Sequence, residues 1–363
     1  HMTGRILIGP GRERPSQYIH AARNRLDDTP DLARSTMDGR FVYTRNYFPH
    51  LPVVKYQKYS DVSDILRAIR RDYRAGKLDE VQAELVHPVR PLQYLFDLTA
   101  DPWEINNLAE DPAYQTDLAR LREETMAHAR RVGDVMFLPE TEMLRRAGDS
   151  PPYSRRYEEE YNHLQAMLET ADLVGRPSAL PKQMELLDHD DSAVRYSAVR
   201  YSAAVGLFAA ARMSRVDPKR WRDAALPDTA ALRRHLKDPI ATVRVEVAGA
   251  LLGFSAATAP GATESEDGPD SAGASEAQSV LGAAMVDGEL LVAHQALEKV
   301  LYLPSLAPLF ARYVDAAAER IGDANVPPGS PIFPVTEAIA MYRYVYQDAP
   351  LFYEQDRPYL AEN

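Results

Sequence analysis

The chain has 363 residues, enough for more than one domain, and its 45% hydrophobic and 26% charged residues are ordinary for a globular protein. Its formal net charge of −11 argues against a general nucleic-acid binder, because such a protein needs a basic face. No apolar run approaches the roughly 20 residues of a membrane-spanning helix, and the lack of Cys excludes disulfides, thiolate metal ligands and a cysteine nucleophile.

Residues 17–50 predict two strands joined by a turn-rich link. The stretches QYIHAAR and RFVYTRNYF are rich in β-branched and aromatic residues, and Asp38-Gly39 before the second is a strong turn signal. The stretch LQYLFDL, residues 92–98, is a third strand candidate.

Two helices are predicted around these strands. The first has Ser60 or Asp61 as its cap and ends at Gly76. The second has Asp111 as its N-cap and ends at Gly133. Each carries an apolar stripe, formed by Ile65, Leu66 and Ile69 in the first helix and by Leu118, Leu121, Thr125 and Val132 in the second.

The stretch LFDLTADPWEINNLAED, residues 95–111, contains Asp101-Pro102 and ends at Asp111, which Pro112 follows. Two Asp-Pro breaks therefore lie close together. Pro102 ends a strand and Pro112 begins a helix, because proline lacks a backbone N–H and fixes φ. The segment between them must turn the chain back over the sheet, where Asn106 and Asn107 can bond free backbone groups. We interpret the stretch as a structural corner rather than a binding site.

The sequence changes character near residue 150. After the Pro-rich SPPYSRR, strand signals nearly vanish and Ala, Leu and Val recur at helical spacing. Two segments, LLDHDDSAVRYSAVRYSAAVGL and HLKDPIATVRVEVAGALLGF, align on Arg195 and Arg244, and a weaker third copy contains Val292. A leucine, a short turn and an Ala-rich helix in this order resemble the HEAT repeat, a helical hairpin that stacks into a solenoid.

Residues 255–277 contain small, acidic, Pro and Gly residues and no large apolar residue. Such a stretch cannot offset its ordering entropy, so we expect a mobile loop. The predicted fold class is therefore α+β then all-α. A small, mostly antiparallel sheet with covering helices occupies residues 3–149, and a HEAT-like α-solenoid occupies residues 150–363.

Three segments, YIHAARNRLDD, ARSTMDGRFVYTRNYFPHLP and YLFDLTADPWEINNLAEDPAY, together carry a family resemblance. The last is similar almost position by position to the LYDL..DP.E..NLA.DP signature of the type I sulfatases. The region from about residue 16 to 146 thus resembles the C-terminal subdomain of that family, which belongs to the alkaline-phosphatase-like superfamily. The resemblance implies sulfate-ester hydrolysis and a periplasmic or secreted location, and a helical-repeat extension resembles some bacterial members.

The family's chemistry lies in a larger N-terminal domain, where the resemblance implies calcium and a formylglycine made from a C/S-x-P-x-R motif. This chain has no Cys, and no Ser has that spacing, since Arg155 in SPPYSR lies one place too late. The HDD at 189–191 belongs to a predicted repeat turn, and no G-x-S-x-G elbow exists for a serine hydrolase. We therefore expect no catalytic residue, metal or cofactor in this chain, which alone should be inactive.

Six side chains are candidates for substrate binding, because the resemblance implies that IHAARNR and YTRNY face the substrate pocket of a complete enzyme. Guanidinium groups pair with sulfate or carboxylate in a fork geometry, while His and Asn can bond hydroxyls and Tyr can stack on a sugar ring. A structural alternative stays open, in which these side chains only satisfy backbone groups or pack at strand ends. The six candidates are Tyr18, His20, Arg23, Arg25, Arg45 and Asn46.

Two functions follow from these patterns. In the first, the chain is the C-terminal portion of a sulfatase-like enzyme; its partner is a catalytic sulfatase domain or subunit and the substrate is a sulfated sugar. In the second, it is a non-catalytic scaffold that binds a protein partner on the concave surface of its repeats. We expect neither a nucleic-acid partner nor a membrane span.

Overall fold

The computed structural model describes residues 6, 8–26, 29–138, 140–158, 164–190, 204–224, 226–257, 271–322, 330–347 and 349. It contains a sheet of four antiparallel strands in the order β1-β2-β3-β4, which confirms the predicted antiparallel sheet. The strands are Ile19–Leu26, Thr29–Met37, Phe41–Asn46 and Gln93–Asp97.

The predicted turn-rich link between the first two strands is wrong, because most of it is β2. This strand, TPDLARSTM, contains few β-branched residues, but it pairs with a neighbour on each side and Leu32 is fully buried. Pairing and burial therefore override its weak intrinsic preference. The Asp38-Gly39 turn is confirmed: Gly39 has φ of 95°, and Asp38 Oδ1 accepts from the Phe41 amide at 2.8 Å.

Five helices accompany the sheet within the described part of residues 6–149. They are α1 Lys58–Asp61, α2 Asp64–Arg74, α3 Glu80–Glu84, α4 Gln115–Val132 and α5 Glu140–Ala147. The predicted cap at Ser60 or Asp61 is wrong, because both residues lie inside α1 and Ser63 precedes α2. The Asp61 carboxylate instead lies buried and accepts from Arg70 Nε at 2.6 Å.

The predicted second helix is largely confirmed. The Asp111 side chain accepts from the Ala113 amide, a short 3-10 turn follows, and α4 ends where Gly133 adopts φ of 61°. Leu118, Leu121 and Thr125 are buried as predicted. Val132, by contrast, is 40% exposed.

The corner between the two Asp-Pro pairs covers the open edge of β4. Asn107 Oδ1 accepts from the backbone amides of Leu95 and Ala109, and Asn107 Nδ2 donates to the Gln93 carbonyl at 3.0 Å. The Leu108 amide donates to the Leu95 carbonyl at 2.8 Å. The structural interpretation is thus confirmed, and the corner occupies backbone groups through which an edge strand could otherwise pair with another chain.

The remaining described helices form an array beside the sheet. They are α6 Leu164–Asp172, α7 Leu180–Leu186, α8 Ala204–Val216, α9 Thr229–Arg233, α10 Ala241–Ala257, α11 Ser271–Asp287, α12 Leu290–Leu301, α13 Ala311–Ile321 and α14 Phe333–Tyr346. Helices α8, α10, α12 and α14 pack in succession as one layer, and α9, α11 and α13 form a second. The sheet followed by many helices agrees with the predicted order, whereas the HEAT-like class stays a prediction and Arg195 lies outside the described residues.

The predicted loop 255–277 is wrong at both ends. Residues 255–257 complete α10 and residues 271–277 begin α11, while 258–270 lie outside the described residues. Alanine, which recurs in both segments, has the highest helix propensity, and Ala277 is fully buried. Low hydrophobicity alone therefore did not predict the structure of these two segments correctly.

Side chains from both sides of the predicted boundary near residue 150 share one core. Leu32 and Tyr47 from the sheet region pack in the same buried cluster as Met167, Leu168 and Tyr302 from the helical array. Burial of such side chains is the main source of stability. The sheet region and the array are consequently joined by apolar contact as well as by the chain.

Candidate functional site

A pocket of about 250 Å³ lies between β1, β2 and α4. It is lined by His20 and Asn24 of β1, Arg34 of β2, His128 of α4 and Asp134, which follows that helix. Side chains alternate along a strand, so His20, Ala22 and Asn24 share the face covered by α4. The pocket combines titratable groups with apolar walls, which is typical of a ligand site.

A chain of hydrogen bonds fixes the orientation and the tautomer of His20. The Thr125 hydroxyl donates to the Leu121 carbonyl at 2.8 Å, so the Thr36 hydroxyl must donate to Thr125, 2.7 Å away. Thr36 Oγ1 can then only accept from His20 Nδ1, at 3.0 Å. The neutral ring therefore carries its proton on Nδ1 and turns Nε2 toward Glu124 Oε1, 3.4 Å away.

His20 stacks on His128, with ring centroids 3.7 Å apart and planes inclined by 10°. Burial lowers the pKa of His20, an effect opposed by Glu124 and reinforced by Arg131. Burial also lowers the pKa of His128, and the neighbouring His20 and Arg131 lower it further. Both rings are thus held neutral at neutral pH, as hydrogen-bonding groups rather than cations.

The guanidinium of Arg34 is already engaged at the bottom of this pocket. Its Nε and Nη2 atoms reach the two carboxylate oxygens of Asp134 at 2.7 and 3.1 Å, and Nη1 donates to the Ala33 carbonyl at 2.8 Å. Arg34 is 5% exposed. An anion that bound Arg34 would have to displace this bidentate carboxylate.

The other candidates on β1 lie apart from His20. Arg23 points to the opposite face and pairs with the buried Asp31 at 3.1 Å. Arg25 follows a register shift in β1 and pairs with Glu140 of α5. Tyr18 lies near His20, with ring centroids 6.4 Å apart, and its hydroxyl accepts from Arg120 at 3.4 Å.

Arg45 and Asn46 lie inside the protein, each 2% exposed. The Arg45 guanidinium donates to four backbone carbonyls, at distances from 2.9 to 3.2 Å, which belong to Asn46, Leu92, Asp172 and Val174. Asn46 Nδ2 donates to the Pro91 carbonyl at 2.7 Å. These positions favour the structural alternative for both residues, and the six candidates do not meet in a single pocket.

Sequence reasoning missed the α4 side of the pocket. Glu124, His128 and Arg131 recur at helical spacing on the face toward β1, and Arg131 Nη2 reaches Glu124 at 2.7 Å. Their spacing could have indicated a polar helix face. Only the fold, however, brings that face against His20, because the two elements are far apart in sequence.

Two further findings concern the described residues. They include no group of three or more His, Asp or Glu residues placed to hold a metal ion. Nor does any helix among them have the length and apolarity needed to cross a membrane.

No known family model matches the chain. Part of it is 36% identical over 148 residues to an ulvan-active sulfatase from Formosa agariphila. The match covers 40% of this chain and 24% of that sulfatase, so the chain spans less than a quarter of its relative's length. A region of the chain is thus related to part of a sulfatase.

Proposed function

We propose that the chain is the C-terminal portion of a sulfatase-like enzyme and supports sulfate-ester hydrolysis without carrying the nucleophile. The observation behind the proposal is the 36% identity over 148 residues to a sulfatase whose name describes it as ulvan-active. The four-stranded antiparallel sheet with α4 packed on it is the part of the fold that the proposal assigns to the sulfatase subdomain. The substrate would be a sulfated sugar.

In this proposal, the β1 side of the sheet contributes to the substrate pocket of the complete enzyme. Tyr18 and His20 are partly accessible near one another, while Arg23 on the opposite face and Arg25 beyond the register shift are partly accessible apart from them. Either arginine could exchange its carboxylate partner for sulfate. Arg45 and Asn46 would act from within by holding the strand ends in place.

The chemistry would come from a catalytic sulfatase domain or subunit. Cleavage of a sulfate ester needs an activated nucleophile and charge stabilisation on the transferring group. Following the family resemblance, the proposal assigns calcium and formylglycine to that catalytic partner. A periplasmic or secreted location is part of the same proposal.

Reconstitution tests this function. The purified chain alone should not hydrolyse 4-nitrocatechol sulfate, and a catalytic domain encoded in frame or beside it should form a complex with it and gain activity. Metal-dependent turnover by the chain alone would contradict the proposal. Failure of every sulfatase catalytic domain from the same genome to bind the chain would also contradict it.

A second function, a non-catalytic scaffold with a HEAT-like array, is favoured by the helix packing. Helices α8, α10, α12 and α14 form one layer against a second layer, as a stacked repeat requires. The protein partner would bind on the array. Co-purification with a protein unrelated to sulfatases, abolished by charge changes on the array alone, would support this alternative.

A further inference from the structure

A groove of about 610 Å³ runs beside the start of β4, away from the His20 pocket. Its walls come from α3, from residues 87–93, from the corner at 107–110 and from the end of α8 with the turn that follows. Ligand sites of about 300–1,000 Å³ are usual for small molecules, with mostly apolar walls and a few polar groups. Ala83, Val89, Pro91, Leu92 and Met213 provide apolar wall here.

The groove has an excess of negative charge. Glu80, Glu84, Glu110 and Asp217 line it. Of its two arginines, Arg220 pairs with Glu110 inside the groove at 3.3 Å and the buried Arg90 binds the carboxylate of Asp31 outside it. The negative excess therefore comes from Glu80, Glu84 and Asp217. An anionic group such as sulfate is therefore repelled from this surface.

The groove also contains a buried donor that lacks an acceptor. Trp221 is 4% exposed, and its Nε1 atom has no hydrogen-bond partner within the described part of the chain. The indole N–H can only donate, and a buried donor left unbonded is unfavourable. Trp221 is among the residues that line the groove.

These features together restrict the chemistry of the ligand. The carboxylates need hydrogen-bond donors and the indole needs an acceptor, so an ammonium group satisfies only the first and a sulfate only the second. Hydroxyl groups satisfy both, and a pyranose ring adds apolar C–H faces for the apolar walls. We propose that this groove binds an uncharged segment of a glycan, a choice of ligand class that rests on the proposed function.

Calorimetric titration of the full chain with neutral hexasaccharides tests the inference. Cellohexaose, xylohexaose and mannohexaose serve as probes, and at least one should bind with Kd below about 1 mM. A sulfated form of the same sugar should bind about tenfold more weakly. Absence of binding by all three sugars, or binding only of a Lys- and Arg-rich peptide, overturns the inference.

Two variants locate the binding. Trp221→Phe keeps a ring but removes the donor, so affinity for the neutral sugar should fall by about tenfold. Glu80→Lys should reduce the ratio of the affinity for the neutral sugar to the affinity for the sulfated sugar, because it reverses the sign of one charge in the groove. Glu319→Lys, on the exposed face of α13, should leave that preference unchanged. If wild type and both groove variants bound the sugars with equal affinity, the sugars would bind elsewhere on the protein. This outcome does not depend on whether reconstitution with a catalytic domain succeeds.

Discussion

Arg212 Nε donates a 2.9 Å hydrogen bond to the backbone carbonyl of His50. The same guanidinium donates to the carbonyls of Tyr302 and Pro88. Arg212 belongs to α8, His50 follows β3 and Tyr302 follows α12, so one buried cation joins the sheet region to two parts of the helical array. Buried carbonyls need partners, which makes this contact costly to lose.

Replacement of Arg212 with Ala should lower the free energy of unfolding by about 3 kcal/mol, because it leaves buried carbonyl groups without their donor. Urea unfolding followed by circular dichroism measures the change. Arg222→Ala is the matched control, since Arg222 is exposed in the segment between α8 and α9 and its loss should change stability by less than about 0.5 kcal/mol. Equal effects of the two substitutions would show that Arg212 does not hold the two parts together.

Arg45→Ala should likewise reduce stability by about 3 kcal/mol, since Arg45 is 2% exposed and donates to four carbonyls. Arg25→Ala should change it by less than about 1 kcal/mol, because the Arg25–Glu140 pair is partly solvated. In a reconstituted sulfatase, we expect KM to rise in Arg25→Ala. A raised KM with unchanged stability in Arg45→Ala would instead assign Arg45 to the substrate.

Local chemistry explains which elements could be predicted. β3 and β4 are rich in β-branched or aromatic residues, β1 begins at Ile19 next to Tyr18, and the corner follows from Asp-Pro and Asx preferences. β2 could not be predicted, because TPDLARSTM has a weak local preference for strands. The strand forms because it pairs with a neighbouring strand on each side. The ends of the 255–277 segment were missed because burial of small residues depends on a neighbouring helix.

The candidate site was only partly predictable. His20 was identified from its strand, but its partners Thr36, Thr125 and His128 depend on how α4 lies on the sheet. Burial of Arg45 also depends on α6, whose Asp172 carbonyl it binds. A strand pattern shows which residues alternate, whereas long-range packing determines which of them reach solvent.

Acid should destabilise the protein below about pH 6.5, the usual pKa of an unfolded His. Burial lowers the pKa of His20, His50 and His128 in the folded state. Below the unfolded pKa, each ring is neutral in the folded state and protonated in the unfolded state. Its contribution to the free energy of unfolding is therefore complete above that pKa and is lost as the pH falls below it. Each can add at most about 1.4 kcal/mol per pH unit. Urea unfolding between pH 5 and 8 measures the slope.

His128→Gln provides the variant for this experiment, because it keeps a polar side chain but cannot titrate. Its slope between about pH 5 and 6.5 should be shallower than that of wild type. Carboxylates whose pKa is lowered in the folded protein, such as Asp172, stop stabilising it only when the pH falls below the pKa of an unfolded Asp. That pKa is lower than the pKa of an unfolded His, so these carboxylates do not change the slope between about pH 5 and 6.5. Identical slopes would show that His128 does not resist protonation.

Gly253→Ala should destabilise the helical array by about 1–3 kcal/mol, because an added Cβ would lie 2.7 Å from Ala211 Cβ. Neither atom can rotate away, so α8 and α10 must separate. Gly273→Ala, in α11, meets no atom within 4 Å and should be neutral or stabilising by up to about 1 kcal/mol through helix propensity. Thermal unfolding distinguishes them, and a Gly253→Ala protein as stable as Gly273→Ala would argue against the close approach of α8 and α10.

Asn107→Ala should expose the edge of β4, because the Asn107 side chain holds the corner against Leu95 and Gln93. The loss of these hydrogen bonds should lower the free energy of unfolding by about 1–3 kcal/mol and increase concentration-dependent association. Asn106→Ala is the matched control. The Asn106 backbone amide donates to the Asp101 carboxylate, and an alanine at this position keeps that amide. Urea unfolding and light scattering measure the two effects. Equal behaviour of the two variants would mean that the corner is held by its backbone alone, and the edge of β4 would then need no side chain to remain covered.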